Sequence, residues 1–276
     1  MLKRVVTGII MILALVLIVA LGGVPFALVA ALALSLSAHE MFIALKTAGH
    51  RPVKWPFWAG SACMVLGALL IPAAQIPLLI PAAAAVCLVT IALVFFRDDP
   101  KLEDALLSVM PFIVITLPGL YLFAILRYDL KAVQVTLYAM IFSISIFGDT
   151  LAYFVGSQFG KRKFCPAVSP KKTVAGAVAG LLGSLAGALA TGLIAHTATT
   201  VAGLPSLAEC AVAGLAGGLA AQMGDLFASL IKRHCGVKDF SGIFPGHGGM
   251  MDRMDSILFV TVAVFCCRIL FRLIIL

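Results

Sequence analysis

The sequence predicts an all-α polytopic integral membrane protein with about nine transmembrane helices and an active site at the cytoplasmic face. Three observations lead there. Hydrophobic residues make up 62% of the 276 and charged residues only 12%, half of the roughly 25% found in soluble domains. The apolar residues fall into runs near the ~20-residue length that crosses a hydrocarbon core as helix. The basic residues collect on alternate connections between those runs. The mean hydropathy of +1.14 agrees, and no stretch reads as a separate soluble domain.

Nine runs qualify, at 5–22, 24–45, 57–72, 77–96, 106–126, 132–148, 174–196, 207–231 and 256–275. The first begins "MLKRVV", a basic start like that of a signal peptide. Its apolar run is long for such a peptide and more spans follow at once, so an uncleaved first span is expected. Only Gly22-Gly23 separates it from the second, which predicts a tight helical hairpin. The third is short, and the sixth ends at Asp149. The seventh, "AGAVAGLLGSLAGALATG", spaces Gly176 from Gly180 and Gly183 from Gly187 as GxxxG. Small residues let membrane helices approach closely, either inside one chain or across a dimer contact. Residues 1–130 are expected to hold N-terminal transmembrane helices and 131–276 the catalytic region, within one continuous membrane domain. The seven cysteines lie mostly in apolar runs without CxxC or Cys/His metal spacing, as buried membrane cysteines do.

Nine spans put the N-terminus and every second connection on one side. That side receives Lys3, Arg4, Lys46, Arg51, Lys54, Arg97, Lys101, Lys161, Arg162, Lys163, Lys171, Lys172, Lys232, Arg233, Lys238 and Arg253, 16 of the 20 Lys and Arg residues. Arg127, Lys131, Arg268 and Arg272 fall on the other. The positive-inside rule makes the first side cytoplasmic, in an inner membrane, and leaves the C-terminus outside.

Two cytoplasmic connections are long and polar, about 149–173 and 232–255. Asp225 sits about 10 Å below the point where its helix leaves the core near Ile231, at 1.5 Å per residue. An intramembrane carboxylate is costly and usually functional. Ser229 and Lys232 share its helix face, so a self-satisfied Asp–Lys pair also fits. Asp252 and Asp255 are three apart at the start of the last span and repel unless a cation lies between them. Hard oxygen ligands suit Mg²⁺, although a helix N-terminus also favours acidic residues.

"PGHGG" sets His247 among glycines whose N–H groups can approach an anion. It also suits a plain turn. Lys232, Arg233, Lys238 and Arg253 fit phosphate clamps or anchors to anionic lipid. In the other loop, "LAYFVGSQFG" reads as a short interfacial or re-entrant helix. Ser169-Pro170 followed by Lys171-Lys172 reads as a rigid anion-binding turn, with headgroup anchoring as the alternative for its lysines. Carboxylates for a hard cation beside bases for anions suggest phosphoryl or nucleotidyl transfer. A P-loop is absent from the sequence.

The run Ser229-x-Ile231-Lys232-Arg233-x₄-Lys238-Asp239-x-Ser241-x₂-Phe244-Pro245-x-His247-Gly248-Gly249-Met250-x-Asp252-Arg253-Met254-Asp255 resembles the signature of the phosphatidate cytidylyltransferases, the CDP-diacylglycerol synthases. "GDTLAYFVGSQFGK" and "SPKKT" extend the resemblance over about 148–255. It implies transfer of a cytidylyl group from CTP to phosphatidic acid, giving CDP-diacylglycerol and pyrophosphate in phospholipid biosynthesis. It implies Mg²⁺, with room for a second cation, held by Asp225 and Asp252 with Asp255 and Asp149 close by. Lys232, Lys238, Asp239, His247, Arg253 and Asp255 join these as catalytic candidates. Asp149, Ser169, Lys171, Lys172, Thr173, Ser229, Arg233, Gly248 and Gly249 are implied as substrate-binding. A homodimer in membrane lipid is implied, with no nucleic-acid partner.

The chain departs from the pattern after "SPKKT", where Val174-Ala175-Gly176 stand in place of the family's common Trp-Glu-Gly. It also has His234 where an acidic residue often follows Lys-Arg. A related CTP-using enzyme, a polyprenol kinase or a CDP-isoprenoid-lipid synthase, is the alternative. So, from another class, is an ion-coupled transporter using Asp225 and Glu40. Polar residues concentrated on one membrane face favour an enzyme, and Glu40, beside His39, is not explained by the signature.

Overall fold

The computed structural model describes residues 2–70 and 79–275. Nine helices run through the described residues: α1 (Leu2–Leu21), α2 (Gly23–Thr47), α3 (Trp55–Leu70), α4 (Leu79–Phe95), α5 (Leu102–Ile125), α6 (Lys131–Phe159), α7 (Val174–Ala198), α8 (Leu207–His234) and α9 (Met251–Ile275). Six of them, α2 and α5 to α9, are long and apolar enough to cross a membrane. The others carry shorter apolar stretches. The protein is therefore a multi-pass helical membrane protein. The expected ends of the third and fourth spans, at 72 and 77, lie outside the described residues. Gly22 and Gly23, with φ of +63° and +49°, are both left-handed between α1 and α2, a conformation open to glycine without steric cost.

Two sequence expectations are corrected. "LAYFVGSQFG" is not a separate short helix but the last third of α6, which runs unbroken for 29 residues. No proline interrupts Gly148-Asp149-Thr150, so the helix continues where the hydropathy stops. At 1.5 Å per residue it is about 43 Å long, the thickness of a bilayer with its headgroups. "SPKKT" is not a turn but a strand. β2 (Ser169–Thr173) pairs antiparallel with β1 (Lys163–Cys165), Lys163 opposite Thr173 and Cys165 opposite Ser169. This hairpin is the one exception to all-helical structure among the named elements.

The chain divides into two compact units. The first comprises Met1–Ile12, Gly23–Arg127 and His234–Met254. Its core includes Phe57, set edge-on to Phe42 at 5.2 Å and to Phe112 at 6.4 Å between ring centres, a favoured geometry for aromatic pairs. Pro111 has no N–H to give α5, and a π-helical turn over Phe112–Thr116 takes up the irregularity. Asp104 anchors the α2–α3 connection by accepting the Arg51 N–H at 3.0 Å beside Arg97 at 3.7 Å. His50 stacks on His234, with the two Nε2 atoms 2.8 Å apart.

The second unit comprises Leu13–Gly22, Tyr128–Arg233 and Asp255–Leu276. Its organising feature is the glycine stripe of α7. A Cβ at Gly183 would lie 2.6 Å from the Phe147 carbonyl oxygen, and one at Gly187 2.8 Å from that of Ser143. Gly214 and Gly218 of α8 meet α7 as closely, at 2.9 Å from Leu185 and 2.7 Å from Ser184. Ser184 Oγ donates to the Ile144 carbonyl at 2.9 Å, tying α7 to α6. The small-residue spacing is thus used in internal packing, where backbones touch.

Candidate functional site

In the second unit, one cavity of about 430 Å³ gathers residues from three helices and the hairpin. The overhanging end of α6 contributes Asp149, Tyr153 and Ser157. The hairpin and the start of α7 contribute Lys171, Lys172, Thr173 and Ala177, and α8 contributes Gln222 and Asp225. The strand geometry of "SPKKT" puts two lysines next to the first turn of α7. Thr173 caps that turn, its Oγ1 accepting the Gly176 N–H at 3.2 Å, as N-cap threonines do. The cap forms directly on Val174-Ala175-Gly176, without the acidic residue common in the family.

Within the cavity the Lys172 ammonium lies 2.6 Å from Asp225 Oδ2, and both side chains are about a third exposed or less. Ser229 Oγ is at a long 3.5 Å from Asp225 Oδ1. Asp255 is buried beside the cavity group, its Oδ1 accepting the Ser256 N–H at 2.7 Å, and it feels the charges of Asp225, Lys232 and Asp149. The unit thus brings together Asp149, Lys171, Lys172, Thr173 and Asp225, with Asp255 and Lys232 in electrostatic reach. Ser169 sits on β2 but does not line the cavity. Arg233 is exposed and makes a long 3.5 Å contact with the Val168 carbonyl.

The remaining predicted residues belong to the first unit and its signature loop. Phe244-Pro245-Gly246-His247 forms a tight turn. The His247 N–H donates to the Phe244 carbonyl at 2.9 Å and Gly246 has φ +78°, the type II pattern with Pro second and Gly third. The ring of His247 lies against α1, where a Cβ on Gly8 would come 3.7 Å from its Nε2. His247 Nδ1 is shut from solvent with no hydrogen-bond partner among the described residues.

Two buried carboxylates stitch the loop. Asp252 Oδ2 accepts the N–H groups of Phe240 and Gly249, both at 2.9 Å. Glu40, 2% exposed on α2, accepts the Ser241 hydroxyl at 2.5 Å and the N–H groups of Met250 at 2.9 Å and Met251 at 2.8 Å. Gly248 and Gly249 are the loop's close-approach points. A Cβ would meet Asp252 Oδ2 at 2.8 Å on the first and Glu40 Oε2 more closely still on the second. Lys238, Asp239 and Arg253 are exposed.

Glu40 has no role in the signature run, and Gln222 and Ser157 stand outside it. Gln222 carried a signal: a polar residue in an apolar helix, three before Asp225 and so on its face. Glu40 carried only half of one, because its partners lie about 200 residues away.

The fold and the cavity define a multi-pass helical membrane protein with carboxylates and ammonium groups clustered at one end of a helix bundle. The chain belongs to the cytidylyltransferase family, whose pattern matches residues 2–271. It is 39% identical over 123 residues to a phosphatidate cytidylyltransferase of Bacillus subtilis, covering 45% of this chain and 44% of that protein. It is 39% identical over 143 residues to one of Aquifex aeolicus, covering 51% and 50%. Over 112 residues it is 41% identical to one of Staphylococcus aureus, covering 41% of each. The matched stretches span about half the length of these curated relatives, or less.

Proposed function

We propose that the chain transfers the cytidylyl group of CTP to phosphatidic acid, giving CDP-diacylglycerol and pyrophosphate. The observation that carries this is the cavity in which Lys171, Lys172, Asp149 and Asp225 meet at one end of membrane-length helices. The names of the relatives support the choice of substrates. In the reaction a phosphate oxygen of the lipid bonds to the α-phosphorus of CTP and the bond to pyrophosphate breaks. Lys171 and Lys172 hold phosphate oxygens and offset the charge that grows on the leaving pyrophosphate. Lys172 is pre-placed for this by Asp225.

The donor chemistry fits Mg²⁺. This ion prefers oxygen ligands and uses one or two carboxylates together with water and substrate phosphates. Among the described residues no three of His, Cys, Asp and Glu form a chelating group, and that mode does not need one. Asp225, with Asp149 lining the same cavity, is the best supported ligand. Asp252, whose Oδ2 accepts two amide hydrogens, enters as a candidate ligand through the family resemblance. Bound Mg²⁺ would supply Lewis-acid polarisation of the phosphate oxygens. A second cation stays within the proposal on the family resemblance alone.

The nine apolar helices and the one-sided basic residues support nine spans, with the N-terminus and the catalytic loops on the cytoplasmic side of an inner membrane and the C-terminus outside. A homodimer would need a face other than the α7 glycine stripe, which α6 and α8 occupy.

The test is CDP-lipid formation by the purified protein in detergent, with CTP, phosphatidate and Mg²⁺. We expect stoichiometric pyrophosphate, loss of activity with EDTA, and a drop of at least ~10²-fold for Asp225→Asn. Polyprenol and isoprenoid-ether phosphate arms identify the related enzymes. No CDP-lipid from any phosphatidate would sink the reading.

A further inference from the structure

We propose that the second unit carries another ligand site, far from the catalytic cavity, that holds the phosphate of a phospholipid whose headgroup also bears a hydrogen-bond donor. The site is a cavity of about 380 Å³ lined by Gly203, Leu204, Ser206, Glu209, Arg268 and Arg272 among others. Glu209 and Arg268 are 3% and 4% exposed and form an ion pair at 2.8 Å. Arg268 also donates to the Gly203 carbonyl. The pair is not fully satisfied: Glu209 Oε1 and Arg268 Nε are both shut from solvent and have no hydrogen-bond partner among the described residues. A buried carboxylate oxygen and a buried guanidinium N–H left open are costly, more so than neutral groups. They mark a place where something polar belongs.

The charges say what. One carboxylate and two guanidiniums leave the cavity at +1, the complement of one phosphodiester. Arg272 is the exposed member, its guanidinium 4.9 Å from the centre of the Tyr128 ring, which holds the planar fork in place for bidentate contact with a phosphate. Glu209 Oε1 needs a donor, which an ammonium or hydroxyl headgroup supplies and a trimethylammonium headgroup does not. Leu207, Ile269, Leu270 and Leu273 are exposed along the same helix ends and suit acyl chains. Water could fill the two open valences, but it gives no account of the net charge or of the braced second arginine.

The site is separate from the catalytic cavity. Glu209 precedes Asp225 by 16 residues on α8, about 24 Å along the helix axis. That is most of a ~30 Å hydrocarbon core, so the two sites lie toward opposite membrane surfaces.

The experiment is lipid retention by the whole purified protein after delipidation, measured by native mass spectrometry without CTP. Phosphatidylethanolamine, phosphatidylglycerol and phosphatidylcholine are offered at equal mole fraction. We expect one retained phospholipid, with the ethanolamine and glycerol forms favoured ~10-fold over choline, one charge-assisted hydrogen bond's worth. Arg272→Gln should lower retention of all three, and Lys172→Gln should not. Equal retention of the three lipids, no retained lipid, or loss with Lys172→Gln rather than Arg272→Gln would each overturn the proposal. A photoreactive phosphatidylethanolamine tests it in the wild-type protein. Crosslinks should map to Gly203–Glu209 and Phe271–Arg272, and crosslinks confined to other segments refute the site.

Discussion

Replacing Glu40 by glutamine tests how the signature loop is held. The side chain keeps its size, but one carboxylate oxygen becomes an NH₂ group. Glu40 accepts three hydrogen bonds, two on Oε1 and one on Oε2, and two of the donors are the N–H groups of Met250 and Met251 that open α9. Whichever way the amide turns, at least one N–H loses its acceptor and faces another donor. Hydrogen bonds to a charged group are worth about 1.5–3 kcal/mol each, and a buried N–H left open costs about 1–3 kcal/mol. The negative charge opposite a helix N-terminus is lost as well, at about 0.3–1 kcal/mol. We therefore expect ~2–4 kcal/mol of local destabilisation. At 1.4 kcal/mol per tenfold, the opening equilibrium of the loop rises roughly 30- to 1,000-fold. Amide hydrogen exchange by mass spectrometry reads this directly, as faster exchange over residues 239–251 with the helices of the second unit unchanged. CDP-lipid synthesis should fall with it. Unaltered exchange in that segment, together with wild-type turnover, would refute the anchoring role.

Lys172→Met should lower CDP-lipid synthesis by ~10²-fold or more while shifting thermal stability by less than ~1 kcal/mol, since its pair with Asp225 is partly solvated. Activity near wild type would remove Lys172 from the site. Gly187→Leu drives a side chain into the Ser143 carbonyl 2.8 Å away, and overpacking of this kind costs about 1–3 kcal/mol. A lower melting midpoint in detergent is expected, and an unchanged one argues against tight α6–α7 packing. Gly249→Ala drives its Cβ into Glu40 Oε2 and should reproduce the loop opening of Glu40→Gln. If its exchange over 239–251 matches wild type, the close approach is wrong.

Composition was enough to read the membrane class, because long apolar runs have few other uses. The helical segments follow the hydropathy closely wherever hydrocarbon thickness sets their length. The reading slipped at α6, where Asp149 marks where apolar residues stop but not where the helix does. It slipped again at "SPKKT", whose strand is made by pairing with Lys163–Cys165, a tertiary event that propensity does not encode. Of the residues that line the cavity, Asp225 is legible as a charge that a membrane helix has reason to avoid, and Asp149, Lys171 and Lys172 as charges of a polar connection. Thr173 was legible only as a motif member, whereas its role here is to cap α7. Glu40 was conspicuous, but an acceptor's donors cannot be read when they are backbone N–H groups of a loop about 200 residues away. At His234 the departure from the family pattern coincides with a neighbour, His50, whose Nε2 lies 2.8 Å from its own.

The unbroken length of α6 makes the cavity proposed for catalysis answerable to the bilayer. Asp149, Tyr153 and Ser157 ride on the same rigid rod whose earlier turns lie in hydrocarbon, with no hinge between. A transmembrane helix tilts when the hydrocarbon thickness around it changes, and a rod that tilts carries its far end sideways. The cavity wall would then move against the hairpin lysines as acyl chains lengthen or shorten. A lipid-synthesising enzyme built this way would have its rate set partly by the thickness of the membrane it helps to make.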